Sequence, residues 1–217
     1  MVTLKEAAKQ FDPSQFNLAI RPKEWVEKGT IRAKIKDDLY PDLIVETICP
    51  KWYHKSKYHE KDEYSRRLLN TKRTGTDDSE YFKPFVKECI EQYIEELNLK
   101  QIDYITLIPN GNNKYYENIV RIAEFVSELL EGVQIIIFNR EICERSPSRR
   151  RIDRYKDLHG KFTIKNEEDL KNKSILILDD IRTSGISILE CTSILKEKDI
   201  KNVVAMVLGT NTSDPPK

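Results

Sequence analysis

The chain has 217 residues, enough for one well-packed core, and its 37 basic and 36 acidic residues leave a formal charge of +1, so no global field points to nucleic acid. Hydrophobic residues make up 39%. That excludes wholesale disorder, while no stretch approaches the ~18 apolar residues of a membrane span and no apolar leader opens the chain.

Cys49, Cys89, Cys143 and Cys191 are widely spaced with no C-x-x-C pair. They argue against a structural zinc site and read as small buried residues of a cytoplasmic protein with reduced thiols. In chain order, "TLKEAAKQF" carries a capping box from Thr3 to Glu6 and predicts a short helix. "TIRAKIKD" (30–37) alternates with period two and predicts a strand, and "DLIVETIC" (42–49) predicts another. "YSRRLLNTKR" (64–73) reads as a basic helix. After the break at "GTDDSE", residues 81–97 place apolar groups at helical spacing.

From there the pattern is regular. "DYITLIP" (103–109) predicts a strand, 116–130 an amphipathic helix and "QIIIFNR" (134–140) a strand. The segment 141–158 is polar and Arg-rich, and "GKFTIK" is a short strand. "SILILDD" is a fully apolar strand, 186–198 a helix and "NVVAMVLGT" a closing strand. Continuous apolar strands alternating with helices predict an α/β fold, a mostly parallel twisted sheet flanked by helices. We expect an irregular N-terminal hood over 1–62 and the main domain over 63–217. Ligands of such sheets bind beyond the C-terminal strand ends, which singles out the loops 110–114, 140–158 and 179–187.

The last of these, "DDIRTSGIS", joins two acids, three hydroxyls and one glycine between a strand and a helix. Main-chain amides at the helix start, at Arg182, Thr183, Ser184, Gly185, Ile186 and Ser187, form a nest for a phosphate. Asp179 and Asp180 repel phosphate but accept hydrogen bonds from a sugar diol. A phosphate cup beside a diol-binding pair describes a ribose 5-phosphate site. No G-x-x-x-x-G-K-[ST] or G-x-G-x-x-G occurs.

These nine residues resemble the PRPP-binding motif of type I phosphoribosyltransferases. "RYKDLHGKF", "LKNKSILILDD", "ECTSILKEKDIKNV", "LLNTKRTG" and "YITLIP" further resemble competence protein ComF-like members, over about 68–209. Three features depart from that family. Its N-terminal four-cysteine zinc ribbon has only Cys49 as a counterpart, its R-G-[FY]-N-Q reads "KYYEN", and its Asn after the loop arginine is Asp157. The resemblance implies a phosphoribosyltransferase using PRPP and Mg²⁺, the ion meeting Asp179 and Asp180 indirectly, through substrate or water. It also implies that a loop containing Arg154 closes over bound PRPP.

For the pyrophosphate we expect Asn110 and Gly111 through their amides, with Lys114 or Lys72 adding charge; a solvated surface role is the alternative for either lysine. The arginine run 145–154 reads as a basic lid, with a solvated charge run or a nucleic-acid patch as rivals. Enzymes acting on 6-oxopurines resemble this motif but carry an Asp base where Thr183 stands, which argues against that substrate class. Trp25, Trp52, Tyr53 and Tyr58 could stack on a base in the hood, though packing is the simpler reading. His54, His59 and His159 read as surface residues. Two other functions fit the motif: a non-catalytic PRPP or nucleotide sensor, and a DNA-associated factor of ComF-like type. Dimers are common in this fold class, so a homodimer is an open expectation.

Overall fold

The architecture follows from strands whose two faces are both covered. The computed structural model describes residues 30–54, 62–142, 150–164 and 170–212. Strands β1 (Ile31–Asp37), β2 (Tyr40–Cys49) and β3 (Lys51–His54) come first, then helices α1 (Glu63–Thr74) and α2 (Ser79–Tyr93). β4 (Tyr104–Leu107), α3 (Glu117–Leu129), β5 (Gln134–Arg140), α4 (Arg151–Leu158) and β6 (Phe162–Ile164) follow. β7 (Ser174–Arg182), α5 (Ile186–Lys196) and β8 (Asn202–Thr212) complete the order.

One sheet runs β1-β2-β8-β7-β4-β5-β6, with β3 pairing beside β2 on β8. β2, β3, β8, β7, β4 and β5 are joined by parallel pairings, β2, β3 and β7 each to β8, and only the β1–β2 and β5–β6 edges are antiparallel. The fold is therefore α/β with a mostly parallel sheet flanked by helices. β7 lies at its centre, which is why "SILIL" carries no alternation. Ile175 and Ile177 pack toward α5, while Leu176 and Leu178 pack toward α2 and α3. The irregular hood expected over 1–62 needs correcting for 31–54. The alternation of β1 and the apolar run of β2 place them in this same sheet, where Val45 and Ile48 are wholly buried. The helix expected near Thr3 lies outside the described residues, as do Trp25, Tyr58, His59 and Cys143.

Two connections create the crevice. α3 follows β4 and packs on one face; α5 follows the neighbouring β7 and packs on the other. The chain thus leaves the C-terminal ends of adjacent parallel strands in opposite directions, which opens a gap at a topological switch point. α4 corrects the expectation of a loop throughout 141–158: residues 151–158 form a helix, docked by an ion pair from Arg151 Nε to the buried Asp37 at 2.9 Å. Tyr155 packs edge-on to Tyr40, with ring centroids 5.5 Å apart. Buried Glu190 of α5 accepts from the Gly160 amide at 2.7 Å and from the Tyr40 hydroxyl, and lies 3.3 Å from His159 Nδ1.

Candidate functional site

At the switch point lies a cavity of about 500 Å³, walled by the ends of β7, β4 and β5 with α1 and α4. The pleat decides where the two acids go. Asp179 and Asp180 are successive on β7, so they leave the strand on opposite sides, and both reach the cavity. Asp180 is neutralised by Lys72, whose Nζ lies 2.7 Å and 3.0 Å from its two oxygens. Among the described residues Asp179 has no ion-pair partner within contact distance. Burial and the charge of Asp180 push its carboxyl up to about 7, against the pull of Lys72 and the Asp180 amide. Burial works against the charged form of Lys72, but the attraction of Asp180 and Asp179 prevails and its pKa is raised.

The position of Lys72 is prepared one turn earlier in α1. Leu68 is buried against β8 at Gly209, where an added Cβ would lie 2.8 Å from Leu68 Cδ2. The missing side chain lets the helix approach, and the Tyr64 hydroxyl donates to the Leu208 carbonyl at 2.6 Å. Residues four apart share a helix face, so Lys72 is carried onto the end of β7.

The turn after β7 is built around Gly185. Its φ of 78° is left-handed, and it serves as the N-cap of α5 with no side chain capping the helix. A glycine at the cap offers the first-turn amides no acceptor of its own. Ser184 Oγ accepts only a long bond, 3.5 Å, from the Ile186 amide. Thr183 and Ser187 line the cavity, and Arg154 Nη1 of α4 donates to Thr183 Oγ1.

The 110–114 loop is held by its own asparagines. Asn110 Oδ1 accepts from the amides of Asn112 and Lys114 at 2.9 and 3.2 Å, and the Asn110 amide donates to the Lys114 carbonyl at 2.8 Å. Asn113 sits at φ 54° and its Oδ1 accepts from the Arg140 amide at 2.7 Å. The loop is thereby fastened to the end of β5.

Asp179, Asp180, Thr183, Ser187, Asn110, Lys72 and Arg154 all line the one cavity. The other expected residues do not. Arg182 is buried at 5% exposure within the β7–β8 pairing, opposite Thr210, and is not among the residues that line the cavity. Burial lowers its pKa. Ser184, Gly185 and Ile186 shape the turn from outside the cavity wall. Gly111 is buried and Lys114 exposed, and neither reaches the cavity, because the asparagine bonds fold the loop back on itself. The sequence reading passed over Arg140, Tyr116 and Asp157 as lining residues, while Tyr53, read there as a possible base-stacking residue, lines the cavity as well. A charged residue ending the apolar run "IIIFNR" was the available signal for the first.

Magnesium fits this donor set only in a restricted way. No group of three or more His, Cys, Asp or Glu able to hold a metal occurs among the described residues. Asp179 and Asp180 suit an ion held chiefly by substrate phosphates and water.

No protein-family model and no curated protein matches the sequence. Among solved structures, the chain is similar to a hypoxanthine phosphoribosyltransferase from Staphylococcus aureus, at TM-score 0.42 and 14% identity, covering 64% of this chain and 70% of that one. It is also similar to a purine phosphoribosyltransferase from Pyrococcus horikoshii, at TM-score 0.39 and 18% identity, covering 60% and 78%. A third is the phosphoribosylpyrophosphate synthetase from Mycobacterium smegmatis, at TM-score 0.37 and 20% identity, covering 58% and 33%. The ComF-like resemblance rests on the quoted segments alone. No described helix is long and apolar enough to cross a membrane.

Proposed function

We propose that the protein binds PRPP and catalyses Mg²⁺-dependent phosphoribosyl transfer with release of pyrophosphate. One observation carries this reading: an acid pair, an uncapped helix start with two hydroxyls, and three cations converge on a single cavity at the switch point. The turn from Thr183 to Ser187 takes the 5-phosphate on main-chain amides and hydroxyls. Asp179 and Asp180 accept hydrogen bonds from the ribose hydroxyls and fix the ring. Displacement at C1 passes through an oxocarbenium-like state, by analogy with glycoside chemistry. The paired carboxylates sit where that positive charge develops, and Arg154 and Lys72 meet the phosphoryl charge. Bound with substrate, magnesium supplies neutralisation of the diphosphate. Thr183 cannot accept a proton at neutral pH, so an acceptor that is already nucleophilic suits this site.

A coupled assay of pyrophosphate release, across nucleobases and amines with Mg²⁺ and PRPP, tests the proposal. An acceptor that supports turnover in the parent and not in Asp180→Asn supports transfer. PRPP binding without turnover on any acceptor would move the protein to a sensor role.

A further inference from the structure

We propose that Arg140 is the principal diphosphate-binding side chain of this cavity, in the place first assigned to Lys114. The inference rests on the PRPP reading and deepens it. Arg140 ends β5 at 6% exposure and lines the cavity, yet its buried Nε has no hydrogen-bond partner. No acid among the described residues pairs with its guanidinium. Its one described side-chain contact is the Phe162 ring, 5.5 Å from the guanidinium carbon. A buried cation with no counter-ion among the described residues is costly, and five fixed donors match two phosphoryl oxygens side by side.

Position selects which anion. The 5-phosphate turn follows β7, and β5 lies two strands away across β4. Strand spacing puts the two ends roughly 10 Å apart, comparable to the separation of the 5-phosphate from the far end of a 1-diphosphate. The Arg140 amide is bonded to Asn113 Oδ1, so the end of β5 that carries Arg140 and the 110–114 loop are fastened together. Asn110 of that loop lines the same wall. Lys114 is exposed and lies outside the cavity.

The test is calorimetry on full-length parent, Arg140→Met and Arg140→Lys with three ligands at constant Mg²⁺: PRPP, inorganic pyrophosphate and ribose 5-phosphate. In Arg140→Met, affinity for PRPP and pyrophosphate should fall at least ~10-fold while ribose 5-phosphate stays within ~3-fold. Arg140→Lys keeps the charge without the fork and should lose pyrophosphate affinity by roughly 3–10-fold. Equal loss for all three ligands, or pyrophosphate binding within ~3-fold of the parent, overturns the assignment. Thermal unfolding checks each variant. Should Arg140→Met fail to fold, the same ligand contrast in Arg140→Lys decides. A parent that binds no ribose 5-phosphate sinks the PRPP reading itself; a parent that binds it alongside an indifferent Arg140→Met sinks only this inference.

Discussion

Replacing Gly185 with alanine should both destabilise the fold and damage the phosphate turn. At φ 78° a side chain is strained whatever space surrounds it, at a cost of about 1–2 kcal/mol. The added Cβ would also meet Ile35 Cγ2 at 2.9 Å and Cδ1 at 3.2 Å. Ile35 is 1% exposed within the core of β1, β2 and α5, so it cannot swing clear. Overpacking of this kind costs about 1–3 kcal/mol. Together the terms give roughly 2–5 kcal/mol. Urea unfolding followed by circular dichroism at pH 7 reads this directly. Ile35→Ala removes both clashing atoms, so the double variant should be less destabilised than the sum of the singles by about 1–3 kcal/mol. Gly185→Ala within about 0.5 kcal/mol of the parent, or strict additivity of the cycle, would refute the reasoning.

Further outcomes follow from the acid pair and the docked helix. The Asp179 carboxyl titrates higher in the folded chain than its ordinary 3.8, so its contribution to stability is full below about pH 4, is lost as pH rises to about 7, and is flat above. Asp179→Asn should therefore raise Tm relative to the parent at pH 8 but not at pH 4, while weakening ribose 5-phosphate binding; a variant equally stabilised at both pH values contradicts the assignment. Lys72→Met removes the cation that holds the Asp179 pKa down, so the pH midpoint of ligand affinity should move upward, as titration calorimetry across pH 5–9 would record. Glu190→Ala strands the Gly160 amide and the Tyr40 hydroxyl and should cost about 2–4 kcal/mol in urea unfolding, with Glu190→Gln milder.

The order of elements was legible because burial on two faces leaves a plain signature. β7 is a continuous apolar run since both α5 and α2–α3 cover it, and β5 was read with its full bounds, Gln134–Arg140. α4 was not legible as a helix. Its sequence "RIDRYKDL" presents charge on most sides, and its place is set by tertiary ties, Arg151 to Asp37 and Tyr155 to Tyr40. The site followed the same division. Residue type pointed to Asp179, Asp180, Thr183 and Ser187, which do share one cavity. Spacing along the chain does not say which residues of a strand end line a cavity, and Arg182, expected in the phosphate turn through its amide, is buried in the β7–β8 pairing outside the lining. Lys114 lies outside the lining for a different reason, since asparagine side chains fold its loop inward on themselves. Arg140 was overlooked because a charge closing an apolar strand reads as an edge until the cavity behind it is seen.

The most direct measurement is calorimetric titration of the parent with PRPP, with and without Mg²⁺, alongside Asp180→Asn. The account predicts one PRPP bound per chain, tighter with Mg²⁺, and binding weakened at least ~10-fold by the substitution. No heat of binding at millimolar PRPP in either condition, or an affinity indifferent to Asp180, would contradict it.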